Sequence, residues 1–294
     1  MKRLAFVALV GCSSPPAAHP AAAAAAPLSL AADAQMIAVP PGQYIAGSTP
    51  EERQQAYDDF ENTAGSDTAR AHHWFDGEED RHVAQSIGVR IDLMPVTQAQ
   101  YAEFVAAAGV PGPAIDEAGW KRQGFAQDYA KQVARFVWKD GAPPAGRADH
   151  PVVLVTWDEA SKYCAWRGSL VGQPRRLPSE AEYEKAARGD AGLAYPWGNT
   201  FEPDLLDSAV KGPGDTAPVG TYVKGASPYG MLDAAGNVFE WTSTPFKKGQ
   251  MTVKGSSWED FAGLGRAASR HGRRPSIRHT IIGFRCAADP QRQE

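Results

Sequence analysis

The stretch DAAGNVFE, residues 233–240, places two carboxylates and a glycine-containing turn within one short segment. Calcium takes six to eight oxygen ligands, from carboxylates and from backbone carbonyls on tight turns. Asp233 and Glu240 can supply side-chain oxygens, and Gly236 and Val238 can supply carbonyls two residues apart. The alternative is that Asp233 caps a turn and Glu240 forms a salt bridge. The spacing differs from that of the EF-hand loop, so the residues alone leave both interpretations open.

A second group of reactive side chains begins at Ser257. Glu259 and Asp260 lie on a predicted turn, and a run of bases follows closely, at Arg266, Arg270, His271, Arg273 and Arg274. Acids that face bases in a cleft can act as general acid and base. The alternative is a packing turn whose acids form salt bridges to Arg266 and Arg270, because salt-bridge networks resemble catalytic ones.

The elements that position these residues can be predicted only in part. Three segments pair an N-cap with a Gln or Glu three residues later and stop near a glycine, which predicts short helices beginning after Thr97, Thr156 and Ser179 and ending at Gly109, Gly168 and Gly189. Residues 151–155 and 280–288 are short apolar runs, whereas residues 195–241 show no periodicity. These patterns predict one α+β domain over residues 36–294.

Composition excludes several classes of protein. With 43% hydrophobic and 22% charged residues, the chain has enough apolar side chain for a sizeable core and is not typical of a disordered protein. A formal net charge of -4 gives no electrostatic footprint for nucleic acid, so no nucleic-acid partner is expected.

The N-terminus has the features of an export signal. Residues 1–12, MKRLAFVALVGC, combine a basic start, a short apolar run and a Gly-Cys pair, which predicts a lipoprotein-type signal peptide with Cys12 carrying the lipid. The alternatives are an ordinary signal peptide cleaved in the alanine-rich tract, or a misassigned start. Residues 13–35 are low-complexity Ala/Pro sequence and predict a flexible tether. We therefore expect a periplasmic protein anchored to the membrane by its N-terminal lipid.

Export makes the two remaining cysteines informative. An oxidising compartment favours a disulfide between Cys164 and Cys286. The alternative is two separately buried thiols.

Eight blocks of the chain resemble, in order, the formylglycine-generating enzyme or sulfatase-modifying factor family. They are MIAVPPGQYIAGS (36–48), MPVTQAQYAEFV (94–105), HPVVLVTWDEASKYCAW (150–166), RLPSEAEYEKAARG (176–189), YPWGN (195–199), SPYGMLDAAGNVFEWT (227–242), VKGSSWED (253–260) and GFRCAA (283–288). The resemblance covers nearly everything after residue 36. It implies an irregular, C-type-lectin-like α+β fold with little regular secondary structure.

The resemblance also implies cofactors and a cysteine pairing. It implies one structural Ca²⁺ at Asp233, Gly236, Val238 and Glu240, and it supports the Cys164–Cys286 bridge. The family's second calcium site falls near Asp207 and Ser208, in a loop that is shorter here than in the family. Whether that second site survives is left open.

The reaction centre departs from the family pattern. Formylglycine-generating enzymes hold Cu(I) with two cysteine thiolates after a GGS turn, and soft thiolates are what select Cu(I). Here the segment reads KGSSWEDFAGLGRAASR, which retains Ser257 but contains no cysteine. The resemblance places Cys164 and Cys286 in a structural bridge elsewhere. We therefore expect no Cu(I) site and no copper-dependent conversion of a sulfatase cysteine to formylglycine.

A cysteine-free branch of this family includes an exported protein that completes the fluorophore of pyoverdine siderophores. This chain resembles that branch in its export signal, its missing copper cysteines and its SWED turn, and differs in the lipid anchor. The resemblance implies an oxidative maturation enzyme for a small-molecule or peptide substrate in the periplasm, with Glu259 or Asp260 removing a proton. The alternative is a non-enzymatic lectin-fold lipoprotein that binds or assembles partners.

Overall fold

A computed structural model describes residues 35–290 of the chain. The predicted signal peptide, Cys12 and nearly all of the predicted tether lie outside these residues. Within residues 35–290, none of the helices combines the length and apolar character that a membrane span requires.

The helices are short and most begin at a capping residue. They are α1 (Pro50–Ala64), α2 (Thr68–Ala71), α3 (Gln98–Ala108), α4 (Glu117–Arg122), α5 (Trp157–Leu170) and α6 (Glu180–Arg188), with a π-helical turn at Tyr129–Val133 and 3₁₀ turns at Ala134–Phe136 and Val223–Gly225. The predicted starts of α3, α5 and α6 are confirmed. At each one the cap side chain accepts from the third backbone N–H, and the Gln or Glu at that position accepts from the cap N–H.

Four helices differ from the sequence-based prediction: α1, α2 and α4 were not predicted, and α5 extends past its predicted end. α5 passes Gly168 and ends at Leu170. A Cβ at Gly168 would lie 2.6 Å from the Arg175 nitrogen, so this glycine permits a close backbone approach and does not end the helix. α1 was not predicted, although Thr49 forms a capping box with Glu52 and the left-handed Gly65 ends the helix. The same capping rule would have found it.

Within residues 35–290, the strands form three small sheets. Their bounds are β1 (Met36–Val39), β2 (Gly42–Ala46), β3 (His82–Ser86), β4 (Val89–Asp92), β5 (Phe239–Lys247), β6 (Gln250–Lys254), β7 (His271–Arg273), β8 (Ile282–Gly283) and β9 (Ala287–Ala288). One sheet has the order β1-β4-β9, a second is the β2-β3 hairpin, and the third has the order β7-β6-β5-β8. β5 and β8 pair in parallel and the other pairs are antiparallel. The third sheet positions the candidate site, because the SWED turn follows β6 directly.

The segment between α6 and β5 is irregular, as predicted, and in the described chain it contains only one 3₁₀ turn. Hydrogen bonds from side chains take the place of the backbone hydrogen bonds that regular strands would form. Asn237 bonds the Ala217 backbone in both directions, at 3.1 and 3.2 Å. The Gly220 amide donates to Asp233 Oδ2 at 2.7 Å. These contacts satisfy backbone groups that would otherwise be buried without partners.

The main core packs aromatic rings of α3 against α5. Tyr101 stacks on Tyr163 with ring centroids 5.6 Å apart, and Phe104 meets Tyr163 edge-on. The predicted disulfide is confirmed: Cys164 on α5 bonds Cys286, 122 residues further along, immediately before β9. α5 is therefore tied covalently to the β1-β4-β9 sheet. The predicted α+β class is confirmed as well.

Candidate functional site

The turn at residues 257–260 is held by its own side chains. Asp260 Oδ2 accepts from the Ser257 amide at 2.7 Å and from Ser257 Oγ at 2.6 Å. The Asp260 carbonyl accepts from the Ala209 amide at 2.9 Å. Asp260 is therefore fixed in place by Ser257, and a carboxylate with these bonds is less free to exchange protons than its neighbour.

Glu259 differs from Asp260 because its carboxyl group has no hydrogen-bond partner in the described chain. Its side chain is half-buried and, among residues 35–290, forms no hydrogen bond or ion pair. Burial raises its pKa, the nearby Asp260 charge raises it further, and Arg135 opposes both. A carboxyl group whose pKa is moved toward neutrality is suited to general acid–base work.

Two arginines lie near these acids: Arg273, one of the bases predicted to face them, and Arg135, which the sequence did not suggest. The Arg135 guanidinium lies over the Trp258 ring at 5.3 Å and over Phe136 at 4.9 Å. Burial raises the Asp260 pKa, whereas the Ser257 hydrogen bonds and the positive charge of Arg273 lower it. Arg135 lies far from the turn in sequence, on a helical segment without a recognisable motif. No local signal could have found it.

The other predicted bases have partners elsewhere. Arg266 Nη1 lies 2.9 and 3.2 Å from the two carboxylate oxygens of the buried Glu78. Arg270 Nη2 donates to Glu180 at 2.7 Å, and its guanidinium covers the Phe246 ring. Neither arginine therefore forms the expected salt bridge with the acids of the turn. Their partners, Glu78 and Glu180, are distant in sequence and are brought close only by the fold. Spacing along the chain had suggested the nearer acids Glu259 and Asp260.

His271 lies on β7 near the site but is a weak base. Its ring packs edge-on against Phe239, and Nε2 lies 3.2 Å from Ser269 Oγ. Burial lowers its pKa to about 3, and the charges of Arg273 and Lys254 act in the same direction. The imidazole is therefore neutral at physiological pH.

Helix α1 forms one wall beside the turn. The Ala262 amide donates to Thr63 Oγ1 at 3.2 Å, and Phe261 meets Phe60 edge-on. Between α1 and residues 199–201 lies a cavity of about 440 Å³, whose lining includes Asp59, Asn62, Thr63 and Ala262. Its lining is mixed polar and apolar, and it reaches the segment after the turn at Ala262.

The predicted calcium turn contains a buried ion pair. Arg285 Nε donates to Glu240 Oε2 at 2.6 Å, and its Nη2 donates to Oε1 at 2.7 Å and to the Asp233 carbonyl at 3.2 Å. A calcium ion at these oxygens would lie against a guanidinium. Glu240 thus forms the salt bridge that the residues alone left open, and a calcium ion at Asp233, Gly236, Val238 and Glu240 stays a prediction.

Asp207, in the shortened loop, has carboxylate oxygens that lack partners among residues 35–290. It is buried, and neither carboxylate oxygen has a hydrogen-bond partner of ordinary geometry in the described chain; the same holds for Ser208 Oγ. Burial raises the Asp207 pKa to about 7, with further contributions from Asp233 and Asp215 and an opposing one from the Ala217 amide. Buried, unpaired carboxylate oxygens are costly unless protonated or bound to a cation.

Within residues 35–290, no group of three or more His, Cys, Asp or Glu side chains is placed to hold a metal ion. His73 contacts Asp76 at 2.8 Å on an exposed loop.

Comparison with known proteins identifies relatives across most of the chain. Residues 22–290 match the model of the sulfatase-modifying factor enzyme 1-like domain. The mouse inactive C-alpha-formylglycine-generating enzyme 2 is 31% identical over 258 residues, which cover 74% of this chain and 81% of that protein. Hercynine oxygenase of Mycolicibacterium smegmatis is 32% identical over 263 residues, covering 76% of this chain and 58% of the oxygenase.

Among solved structures, PvdO from Pseudomonas aeruginosa aligns with a TM-score of 0.65 and 20% identity, covering 87% of this chain and 94% of PvdO. At that identity the likeness shows the fold alone. It confirms the irregular, C-type-lectin-like α+β architecture that the sequence predicts.

Proposed function

Because the chain belongs to the sulfatase-modifying factor family, we propose that it is an exported oxidative maturation enzyme that works without the copper-binding cysteines. Its substrate class is a periplasmic dihydro-aromatic precursor, such as a pyoverdine-type siderophore chromophore. The observation that carries the proposal is Glu259, a half-buried carboxyl group with a raised pKa and no partner among residues 35–290. The relative named an oxygenase supports oxidation as a chemistry of this family.

The proposed reaction removes two hydrogens from the ring. Glu259 takes one as a proton from a ring position, and the second leaves with an electron pair to O₂ as the two-electron acceptor. The proton on Glu259 then completes the reduction, so the dihydro-substrate and O₂ give the aromatic product and H₂O₂. Burial raises the Glu259 pKa, and the charge of Asp260, which Ser257 fixes in place, raises it further. The Arg135 guanidinium, which covers Trp258 and lies 3.4 Å from Asp215, lowers the Glu259 pKa by its charge.

The activity test compares carboxamide variants. The purified domain is incubated with a dihydro-chromophore in air, and product absorbance is followed together with H₂O₂. Glu259→Gln should lower turnover about 100-fold or more, as expected for loss of a general base. Glu202→Gln, a change of the same type at an exposed residue, is the matched control and should leave turnover unchanged. Unchanged turnover in Glu259→Gln would rule out this assignment.

A non-enzymatic binding or assembly lipoprotein is the second candidate. Its support is the 31% identity to a relative named inactive, together with the structural ion pairs of Arg266 and Arg270. Crosslinking in membranes separates the two functions. A stoichiometric protein complex, with no turnover of any dihydro-chromophore, favours this alternative.

We also propose a structural calcium ion held by Asp207 together with nearby backbone carbonyls. Its support is that both Asp207 carboxylate oxygens lack hydrogen-bond partners, in a described segment that has no β-strand. A hard cation with oxygen ligands fits these atoms. The ion would stabilise the ionised form of Asp207 and connect residues 207–220 to the turn after it.

Cys12 remains the proposed lipidation site for periplasmic anchoring. Membrane fractionation of wild type and Cys12→Ala checks it, and the substituted chain should leave the membrane fraction. Equal membrane association of both chains contradicts the anchor.

A further inference from the structure

The basic run at residues 266–278 contains arginines that the proposed reaction does not use. Three of them are neutralised: Arg266 by Glu78, Arg270 by Glu180, and Arg278 by Glu159 at 2.5 Å. Arg274 forms no ion pair with any residue in 35–290, and its Nη2 donates only to the Gln123 carbonyl at 3.1 Å. A guanidinium fixed at one end retains donors for a ligand.

Arg274 lines a cavity of about 370 Å³ between α4 and residues 274–278. Arg122, at the end of α4, lines the same cavity, is exposed, and has no hydrogen bond or ion pair in the described chain. Two uncompensated guanidinium groups therefore face one cleft. Paired arginine forks match the planar oxygens of carboxylates and phosphates.

The walls of this cavity are fixed before any ligand enters. Gln123 Nε2 donates to the Arg278 carbonyl at 3.0 Å, and its Oε1 accepts from the Arg278 amide at 2.8 Å. Arg278 is held in turn by Glu159 and by the Leu154 carbonyl. Arg274 and the wall that carries it are therefore held in place before binding, which limits the conformational entropy lost on that side of the cleft.

The charge balance of the cavity favours an anion. Asp116 is the one acid in the lining, and its Oδ1 is engaged by the Gly119 amide at 2.6 Å as the cap of α4. Glu159 neutralises Arg278. The remaining charges of the lining are those of Arg122, Arg274 and Asp116, and they sum to one positive charge.

We propose that this cleft binds a small oxyanion-bearing molecule, whose carboxylate or phosphate group is held between Arg122 and Arg274. The site is independent of the acid–base turn. It gives the protein a second ligand position, which a reaction at Glu259 does not require.

Titration calorimetry at about 0.15 M ionic strength tests the site, with inorganic phosphate and citrate as separate probes. Saturable binding of phosphate indicates that the natural ligand carries a phosphate group. Saturable binding of citrate indicates that it carries a carboxylate. Arg122→Gln/Arg274→Gln should weaken the bound probe about tenfold or more, because charge-assisted hydrogen bonds are lost. The affinity of Arg122→Lys/Arg274→Lys for the probe should lie between those of wild type and the glutamine variant, because the charge remains but the two-pronged guanidinium is lost.

Lys121→Gln/Lys131→Gln is the matched control, since it removes the same charge from exposed residues outside the cavity lining. Its affinity should stay within about twofold of wild type, as expected for a purely long-range effect screened by salt. If the double arginine variant unfolds, Arg122→Gln alone is used, because Arg122 makes no bond that supports the fold. The proposal is overturned if neither probe binds, or if the arginine variants bind as tightly as wild type.

Discussion

Arg285 neutralises Glu240 in the buried interior through two hydrogen bonds of 2.6 and 2.7 Å. Its remaining donors reach the carbonyls of Asp92, Leu93 and Leu232 at 2.9 to 3.1 Å. The guanidinium thus joins β5, the end of β4 and the turn before β5. A side-chain cation supplies the positive charge that the sequence predicts a metal would supply at Glu240.

Removing this cation should strongly destabilise the fold. Arg285→Met leaves Glu240 as an uncompensated buried charge, which costs about 3 to 5 kcal/mol of unfolding free energy. Arg285→Met/Glu240→Met should recover part of the loss, because no buried charge remains. Denaturant unfolding measures both. A loss below about 1 kcal/mol in the single variant contradicts the role assigned to the pair.

Asp207 should make stability depend on pH and on calcium. Its pKa in the folded chain is about 7, above the value of about 3.9 for an unfolded Asp. Folding then favours the protonated form, so this contribution is full below about pH 4 and is lost as pH rises to about 7. In a chelator, the free energy of unfolding should fall over that range by no more than about 4 kcal/mol.

Calcium should reverse this loss, because it binds the ionised carboxylate. Asp207→Asn should remove both the pH-dependent loss and the calcium response, whereas Asp204→Asn, at an exposed neighbour, should keep both. Thermal melts with and without chelator give the comparison. If the melting temperature of the wild type at neutral pH is the same with and without chelator, no calcium ion is bound.

The pH profile of turnover should move in opposite directions in two variants. The Glu259 base requires pH above its raised pKa, so activity rises with pH through that value. Asp260→Asn removes a negative neighbour and should shift the rising limb to lower pH. Arg135→Gln removes a positive neighbour and should shift it to higher pH. Shifts in the same direction would falsify the assignment of Glu259 as the titrating group.

The disulfide should contribute substantially to stability. Cys164→Ala/Cys286→Ala removes a link that closes a loop of 122 residues, worth about 4 to 5 kcal/mol in the chain-entropy model. Both sulfurs are buried, so reductant should act slowly on the folded protein. Denaturant unfolding of oxidised and substituted protein checks the magnitude. Equal midpoints contradict a stabilising bridge.

Copper should not convert this chain into a sulfatase activator. A peptide that carries the sulfatase cysteine motif, incubated with the protein, Cu(I) and O₂, should gain no aldehyde by mass spectrometry. Soft thiolates are required to select Cu(I), and the segment at residues 253–270 contains none. Aldehyde formation that depends on copper overturns this expectation.

The sequence by itself determined the features that depend on nearby residues. The capping boxes at Thr97, Thr156 and Ser179 satisfy helix ends through contacts three residues apart, so they can be read from the chain. The irregular stretch before β5 was predictable because it lacks periodicity. The family resemblance supplied the fold class and supported the Cys164–Cys286 pairing.

Tertiary structure alone decided which charges meet. Arg266 lies near Glu259 in sequence but bonds Glu78, 188 residues away. Arg135 reaches Trp258 from a segment with no motif. Ion pairs and cation–ring contacts form wherever the fold brings side chains together, and burial then sets their strength. Sequence separation therefore carries no information about these partners, whereas helix caps are fixed by local geometry.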